Sequence, residues 1–306
     1  MRISYSAYDT FNRCPAKYKF QYVDRISIPK KAELAFGSLI HEVVQLALKK
    51  DPIIPSVDEL IAFLKDHWDE SVFSSEKEAQ QYFDMAQNMI RNFHASLKPG
   101  FRNIIATEKR FYIPLNEKHT LSGAIDRIDK LPFGAFEVID YKTSKTMPDQ
   151  GHVDADKQLG IYRFAIMNLW PEAKDVRLTL YYLKHNQQIT TTRTDEDAET
   201  LKNEFIEVAE KIEQEKEFAP KRNSFCDWCD YQHLCPLQKH KVAPKTEESQ
   251  EIDSIVCDYL DACSKIKELE PKINTHFEKE KIEAFHHKKG VVTRLKTGKF
   301  SIRKNS

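Results

Sequence analysis

Phe136-Glu137-Val138-Ile139-Asp140-Tyr141-Lys142 is a short run of β-branched and aromatic residues, and the rest of the chain is best read outward from it. On a strand alternate side chains share a face, and residues two apart lie roughly 6.6 Å apart along it, so Asp140 and Lys142 point the same way. A carboxylate beside an ammonium at a strand end suits two tasks. The oxygens can hold a hard divalent cation, and the ammonium can stand by an attacking water or a phosphate oxygen. A solvated surface pair explains the same triplet equally well, so the neighbouring segments decide.

Leu121-Ser122-Gly123-Ala124-Ile125-Asp126-Arg127-Ile128-Asp129 reads as the preceding strand, and its Asp126 is expected to meet Asp140 across a hairpin. Two carboxylates brought together repel unless a cation or a proton intervenes. The alternative for Asp126 is a surface ion pair with Arg127 or Lys130. Gly37-Ser38-Leu39-Ile40-His41-Glu42 is expected to open a helix after Gly37, with Gly37 one turn below His41 so that the imidazole stays approachable. The ordinary reading of His41 is a partly buried, satisfied helix residue. Gln158 and Tyr162 in Gln158-Leu159-Gly160-Ile161-Tyr162 are i and i+4 on one helical face and can offer an amide and a phenol to a backbone phosphate, or simply pack the helix on a sheet.

Taken in order, these four segments resemble the PD-(D/E)XK nuclease superfamily, and within it the RecB-like branch. That branch is recognised by a G-x-x-x-H helix, a G-x-x-D-R-I-D strand, a D-Y-K strand and a Q-x-x-x-Y helix. Here they fall at Gly37 to His41, Gly123 to Asp129, Asp140 to Lys142 and Gln158 to Tyr162, so the resemblance covers residues 1 to about 240. It implies that His41, Asp126, Asp140 and the backbone carbonyl of Tyr141 bind Mg²⁺ or Mn²⁺, that Lys142 aids the water nucleophile, and that Gln158 and Tyr162 contact nucleic acid. Glu108, on the strand before, is a weaker candidate for an accessory acid. The implied activity is hydrolysis of DNA phosphodiester bonds, as an exonuclease on single strands or duplex ends, in recombination, repair or phage-DNA processing.

Cys226, Cys229 and Cys235 fall within ten residues, and Cys14, itself followed by a proline, stands more than 200 residues away. Zinc with four thiolates is chemically open, although zinc ribbons usually supply two close pairs. The one-plus-three arrangement resembles the AddB-type iron-sulfur nucleases and their CRISPR-adaptation relatives, which implies a structural [4Fe-4S] cluster stapling the two ends of the nuclease body. Cys257 and Cys263 read as ordinary buried helix thiols.

The whole chain fits an α/β protein, with a mixed central sheet flanked by helices, a restriction-endonuclease-like core, a helical insertion at about 56–98, and a boundary between 1–244 and 245–306. Leu60, Phe63, Leu64 and Trp68, then Phe83, Ile90 and Phe93, carry the helical period of the insertion, while Pro171 stops a helix from about Asp156 to Trp170 and Thr194 caps another. Val242 to Gln250 reads as a polar linker. Ile252, Val256, Tyr259, Cys263 and Ile266 follow at 4-3-4-3 spacing, and the acid-free stretch from Phe285 reads as a basic hairpin turning at Thr297-Gly298, suited to gripping a DNA backbone. The 47 basic and 47 acidic residues cancel, which excludes a polybasic protein but leaves room for local basic surfaces; seven basic residues against two acids lie in the first 31. No apolar run approaches the ~18 residues of a membrane helix, so a cytoplasmic location and no membrane partner are expected. Gly290 to Lys299 has the wrong spacing for a phosphate loop, so any helicase or recombination motor is expected to be a separate protein. The contrasting reading is a non-catalytic nucleic-acid-binding protein with a structural cysteine site.

Overall fold

The computed structural model describes residues 1–29, 31–49, 53–97, 103–239, 250–295 and 300–304. It divides into two compact units, Met1–His240 and Lys241–Ser306.

The first unit is an α/β body around a six-stranded mixed sheet. Its strands are β1 (Arg2–Ser4), β2 (Ile104–Pro114), β3 (Thr120–Lys130), β4 (Ala135–Lys142), β5 (Asp175–Tyr182) and β6 (Gln187–Thr191). β3 pairs with β2 along one edge, antiparallel. Its other edge is shared: β1 takes Thr120 to Ser122 in parallel, and β4 takes Arg127 to Lys130 antiparallel. β4 then continues in parallel with β5 as far as Lys142↔Tyr182, and β6 closes the far side antiparallel. Residues 123–126 of β3 therefore lie in a fork between β1 and the departing end of β4. Gly123 is required there, because a Cβ would come within 2.5 Å of the Phe111 ring on β2.

Both faces of the sheet are covered. Phe136 and Val138 of β4 join Leu178, Leu180 and Tyr182 of β5 in a core with α1 (Tyr5–Arg13), α7 (Lys157–Leu169) and α8 (Asp195–Gln214). The alternate residues Ile139, Tyr141 and Tyr181 pack on the opposite side, against α3 (Ala32–Lys49), α4 (Val57–Asp66) and α5 (Glu76–Ser96). Period-2 alternation on strands sandwiched by helices is what distributes these side chains. The last two of those helices are the expected insertion, each started by a serine: Ser56, in a reciprocal box with Glu59, and Ser75. Ser4 caps α1 through the Ala7 N–H at 3.2 Å, Pro15 opens the short α2 (Pro15–Tyr18), and Thr194 caps α8 in a box with Asp197.

Four local expectations are corrected. α3 begins at Ala32 and runs through Gly37, because Ala32-Glu33-Leu34-Ala35 are good helix formers that outweigh one interior glycine. Two short elements, β1 and α6 (Gln150–Asp154), have too few residues to display a period. Among the described residues of the C-terminal part, a third strand lies beside the two that flank Thr297-Gly298, and Cys257 is exposed and Cys263 half-buried where buried thiols were expected.

The second unit consists of α9 (Gln250–Glu280) followed by β7 (Ala284–His287), β8 (Gly290–Arg294) and β9 (Phe300–Lys304), an antiparallel sheet in that order. Phe277 of α9 is buried and meets Phe300 edge-on at 5.8 Å. The expected turn at Thr297-Gly298 and all but the last residue of the expected linker lie outside the described residues. Among the described residues, no helix is long and apolar enough to cross a membrane.

Candidate active site and cysteine site

The fork supplies the first half of the site. Asp126 leaves β3 where β4 no longer pairs with it, and its Oδ2 accepts the backbone N–H of Tyr141 at 2.8 Å. His41 reaches over from α3, its Nδ1 3.4 Å from the same oxygen. Glu108 lies on β2 opposite Asp126, between the pairs Thr107↔Arg127 and Lys109↔Ile125. It adopts a left-handed backbone (φ 49°) inside a strand, a strained conformation that re-aims its side chain. One ligand atom from each of His41, Glu108 and Asp126 lies within 4.8 Å of the others. The weaker sequence candidate, Glu108, is thus at the centre of the cluster. Gly37 serves the approach of α3 to the sheet, since a Cβ there would meet the Thr143 hydroxyl at 3.4 Å.

Asp140 and Lys142 share a face of β4, as alternation requires, and form an ion pair. Asp140 Oδ1 accepts the Tyr162 hydroxyl at 3.1 Å, while the Gln158 amide donates to that hydroxyl at 2.8 Å and accepts from Lys142 Nζ at 3.2 Å. Gln158 and Tyr162 are one turn apart on α7, whose start is fixed by Asp156 capping the Gln158 and Leu159 N–H groups. The structure therefore brings the eight expected residues, His41, Glu108, Asp126, Asp140, Tyr141, Lys142, Gln158 and Tyr162, into one connected site. It divides them, though. Asp126 keeps company with His41 and Glu108, and Asp140 with Lys142 and Tyr162.

The electrostatics are those of crowded acids out of water. Burial first, then Asp126 and Asp140, push the Glu108 carboxyl up. Asp140 is also pushed up, by burial and by Asp126, against the opposing pull of Lys142 and Tyr162. Burial disfavours the His41 imidazolium, yet Asp126, helped by Asp140 and Glu108, outweighs it and raises the imidazole above its ordinary value. Burial likewise opposes the Lys142 ammonium, and Asp140 more than compensates. A site that raises the proton affinity of Glu108, of Asp140 and of the His41 imidazole at once is short of positive charge.

The alternative pairing of Asp126 is not the one formed. Arg127 does not pair with Asp126: its Nε and a terminal nitrogen hold Asp129 in a buried fork, at 2.7 and 2.5 Å. The pair lies behind Tyr141, whose phenol is pushed up by burial even though Arg127 pulls it down. The spacing i, i+2 on a strand with an apolar residue between was the available signal, since it puts both charges on one face.

The thiols form a second locus. Lys221 N–H approaches Cys14 Sγ at 3.5 Å, Asn223 N–H approaches Cys226 Sγ at 3.3 Å, and the Asn223 side chain donates to the Arg13 carbonyl at 3.1 Å. The end of α1 and the 221–235 segment are therefore in contact. Tyr231 is buried and donates to the Ile26 carbonyl at 3.2 Å, and Lys31 pairs with Asp230 at 2.5 Å. Burial raises the Cys229 thiol, and the proximity of Cys14 adds to it.

The chain that builds this core, with acids gathered where one strand pair opens, a lysine two residues on and a Q-x-x-x-Y helix, is matched by the profile of the PD-(D/E)XK nuclease superfamily over residues 2–236. The chain belongs to that superfamily. It is 26% identical over 191 residues to a subunit of an ATP-dependent helicase/deoxyribonuclease of Streptococcus uberis, a match that covers 59% of this chain and 17% of the relative. To the polypeptide of the same name in Streptococcus agalactiae it is 25% identical over 154 residues, 47% of this chain and 14% of the relative. The chain thus spans less than a fifth of the length of these relatives. A solved structure of a candidate exonuclease from Eubacterium rectale covers 80% of this chain and 90% of its own, at 15% identity and a TM-score of 0.47.

Proposed function

We propose that this chain is a divalent-cation-dependent deoxyribonuclease acting as an exonuclease on single strands or duplex ends, in recombination, repair or defence-linked DNA processing. The observation that carries this reading is the gathering of His41, Glu108 and Asp126 within 4.8 Å beside the Asp140–Lys142 pair. A nucleic-acid-binding module has no need to gather three acids, one buried and two half-buried, in which Asp126 raises the proton affinity of the other two. The set of one imidazole and hard carboxylate oxygens fits Mg²⁺ or Mn²⁺. His41, Asp126 and Asp140 would hold the cation, with the Tyr141 carbonyl, and Glu108 is added as a ligand or accessory acid. When bound, the cation supplies Lewis acidity toward the scissile phosphate and compensates the acids' charge.

The chain's own residues do the rest. Asp140 and Gln158 hold the Lys142 ammonium at the strand end, where it would orient the attacking water and offset negative charge on the phosphate. Tyr162, hydrogen-bonded to both Asp140 and Gln158, fixes the carboxylate and the amide in one geometry. The Tyr141 N–H performs the same service for Asp126.

The cysteine site is read as a structural [4Fe-4S] cluster on Cys14, Cys226, Cys229 and Cys235. Four thiolates on one zinc, with bonds of about 2.3 Å, would hold their sulfurs about 3.8 Å apart. Zinc is the alternative occupant, and the separation in sequence of one cysteine from the other three is what supports the cluster. The backbone N–H groups of Lys221 and Asn223 near two of the sulfurs are the donors such a cluster draws on. The boundary near residue 244, a cytoplasmic location and a separate helicase partner belong to the same proposal.

The test is digestion of end-labelled single-stranded and blunt duplex DNA with Mn²⁺ or Mg²⁺, with and without EDTA, labelled at either end. Cation-dependent release of short products supports the reading, and binding without cleavage under every cation favours the non-catalytic alternative. Iron and acid-labile sulfide in anaerobically purified protein support the cluster. A colourless protein holding zinc alone rejects it.

A further inference from the structure

The first helix of the body links the two loci. α1 begins at Tyr5, whose phenol feels both Asp156 and Lys142, and ends at Arg13, next to Cys14. At 1.5 Å per residue the two lie about 12 Å apart, some three or four nucleotides at the rise of a duplex strand and fewer for an extended one. At the far end exposed aromatic rings lie among cations. Arg13 lies with its guanidinium carbon 4.9 Å from the centre of the Phe225 ring, its Nε held by Asp9 at 2.9 Å. Asn223 ties the two segments, donating to the Arg13 carbonyl while its own oxygen accepts the Phe225 N–H at 2.9 Å. Phe225 is 57% exposed and Trp228, three residues on, is 73% exposed.

Exposed apolar side chains are ordinary one at a time. Here, however, two aromatics share a patch with cations, and the other two tryptophans are packed, Trp68 on Phe73 and Trp170 on Phe136. Lys221 and Arg222 are exposed in the same segment, and Lys17 lies within reach of Cys229. The nearby acids Asp9 and Asp230 are already bound to Arg13 and Lys31, and Asp227 is engaged as well. Aromatic faces interleaved with cations are the chemistry that holds unpaired nucleotides: bases stack on the rings, phosphates meet the basic groups, and no sequence is read. A duplex, whose bases are already stacked, gains much less.

We infer that Phe225, Trp228 and Arg13, with Lys221 and Arg222, form a stacking platform for single-stranded DNA a few nucleotides from the active site along α1. This deepens the nuclease reading, since it states what the strand does away from the reacting phosphate.

Trp228 is its own reporter. In the full-length D140N protein without divalent cation, oligo(dT) should quench tryptophan fluorescence, and W228F should abolish most of that quench while keeping the affinity measured by anisotropy of a labelled oligonucleotide. W228A, W228L, F225A and F225L should each weaken single-strand binding roughly tenfold. Leucine keeps the bulk but not the stacking, so leucine variants binding like the parent would overturn the proposal, as would an equal loss on blunt duplex. Trp228 is mostly in solvent, so W228L carries the test should the Phe225 variants misfold or lose metal, checked by melting temperature and iron content. The underlying reading fails separately: the parent protein would then show no cation-dependent cleavage, whatever its binding.

Discussion

His41, Glu108 and Asp126 are brought together by regular structure, whereas the segments that carry Cys14 and Cys226 meet through loops. The acids stand on β2 and β3 at opposed register positions, and the imidazole stands on an 18-residue helix packed across the sheet. Around the thiols there are the junction of α1 with the four-residue α2, a three-residue helical turn at Cys226–Trp228 and the irregular chain about them. The first locus has its geometry imposed by elements that would fold without it, at the cost of crowding charge. The second joins segments more than 200 residues apart with few hydrogen bonds, and so has most to gain from whatever the thiols bind. Function and stability should therefore respond oppositely when each is damaged.

The largest expected effect is on catalysis. Asp140→Asn should lower cleavage at least about a thousandfold, as loss of a charge that orients and neutralises the reacting groups does. It should leave the melting temperature in EDTA unchanged or raised, because burial and Asp126 already press this carboxyl toward its neutral form. A clear loss of stability would break the contrast, by showing that the fork needs its charge to fold. Cys14→Ser is the mirror image. It should remove the bound metal and cost about 3 kcal/mol or more, a fall of roughly 6–12 °C for a body of this size, with cleavage surviving in whatever fraction stays folded. Iron content beside a melting curve checks it. Selective loss of cleavage from a fully folded variant would make the cluster a participant and not a staple.

The pair behind the fork sharpens the comparison. Arg127 and Asp129 are nearly inaccessible and held in two parallel hydrogen bonds. Asp129→Asn strands a buried guanidinium and should destabilise by about 3 kcal/mol, whereas Arg127→Met with Asp129→Leu should recover most of it. If the double variant regains stability but not cleavage, the pair aligns the Tyr141 N–H and Asp126 as well as filling space. If it regains both, the pair is structural alone.

How much of this could be read beforehand follows from the same physics. Asp140 and Lys142, the Gln158 and Tyr162 face and the caps at Ser4 and Thr194 depend on period and local hydrogen bonding, and both are written in neighbouring residues. The fork is not. That β3 gives one edge to two different strands depends on β1, whose three residues show no pattern of their own. For that reason Asp126 and Asp140 were legible as a facing pair while their separate partnerships were not, and Glu108, aimed inward by a single positive φ, ranked as a minor candidate. Arg127 was weighed as a surface partner because the burial of its face is decided by Tyr141 and the helices beyond it.

The smallest effect concerns the second unit, where charges lie in solvent and no sheet register concentrates them. Lys289 and Arg303 are exposed on or beside the three-stranded sheet. If they touch DNA phosphates, Lys289→Gln and Arg303→Gln should each reduce the slope of log affinity against log salt by roughly 0.7 on a single strand, a modest loss at any one salt concentration. Substitutions at the Phe225 and Trp228 platform should lower affinity and leave that slope nearly as it was, because stacking releases no counterions. The two surfaces are thus separable in one titration series. An unchanged slope in the lysine and arginine variants would leave the body to hold the strand alone, and the acid-free C-terminal sequence would then be a solvated sheet.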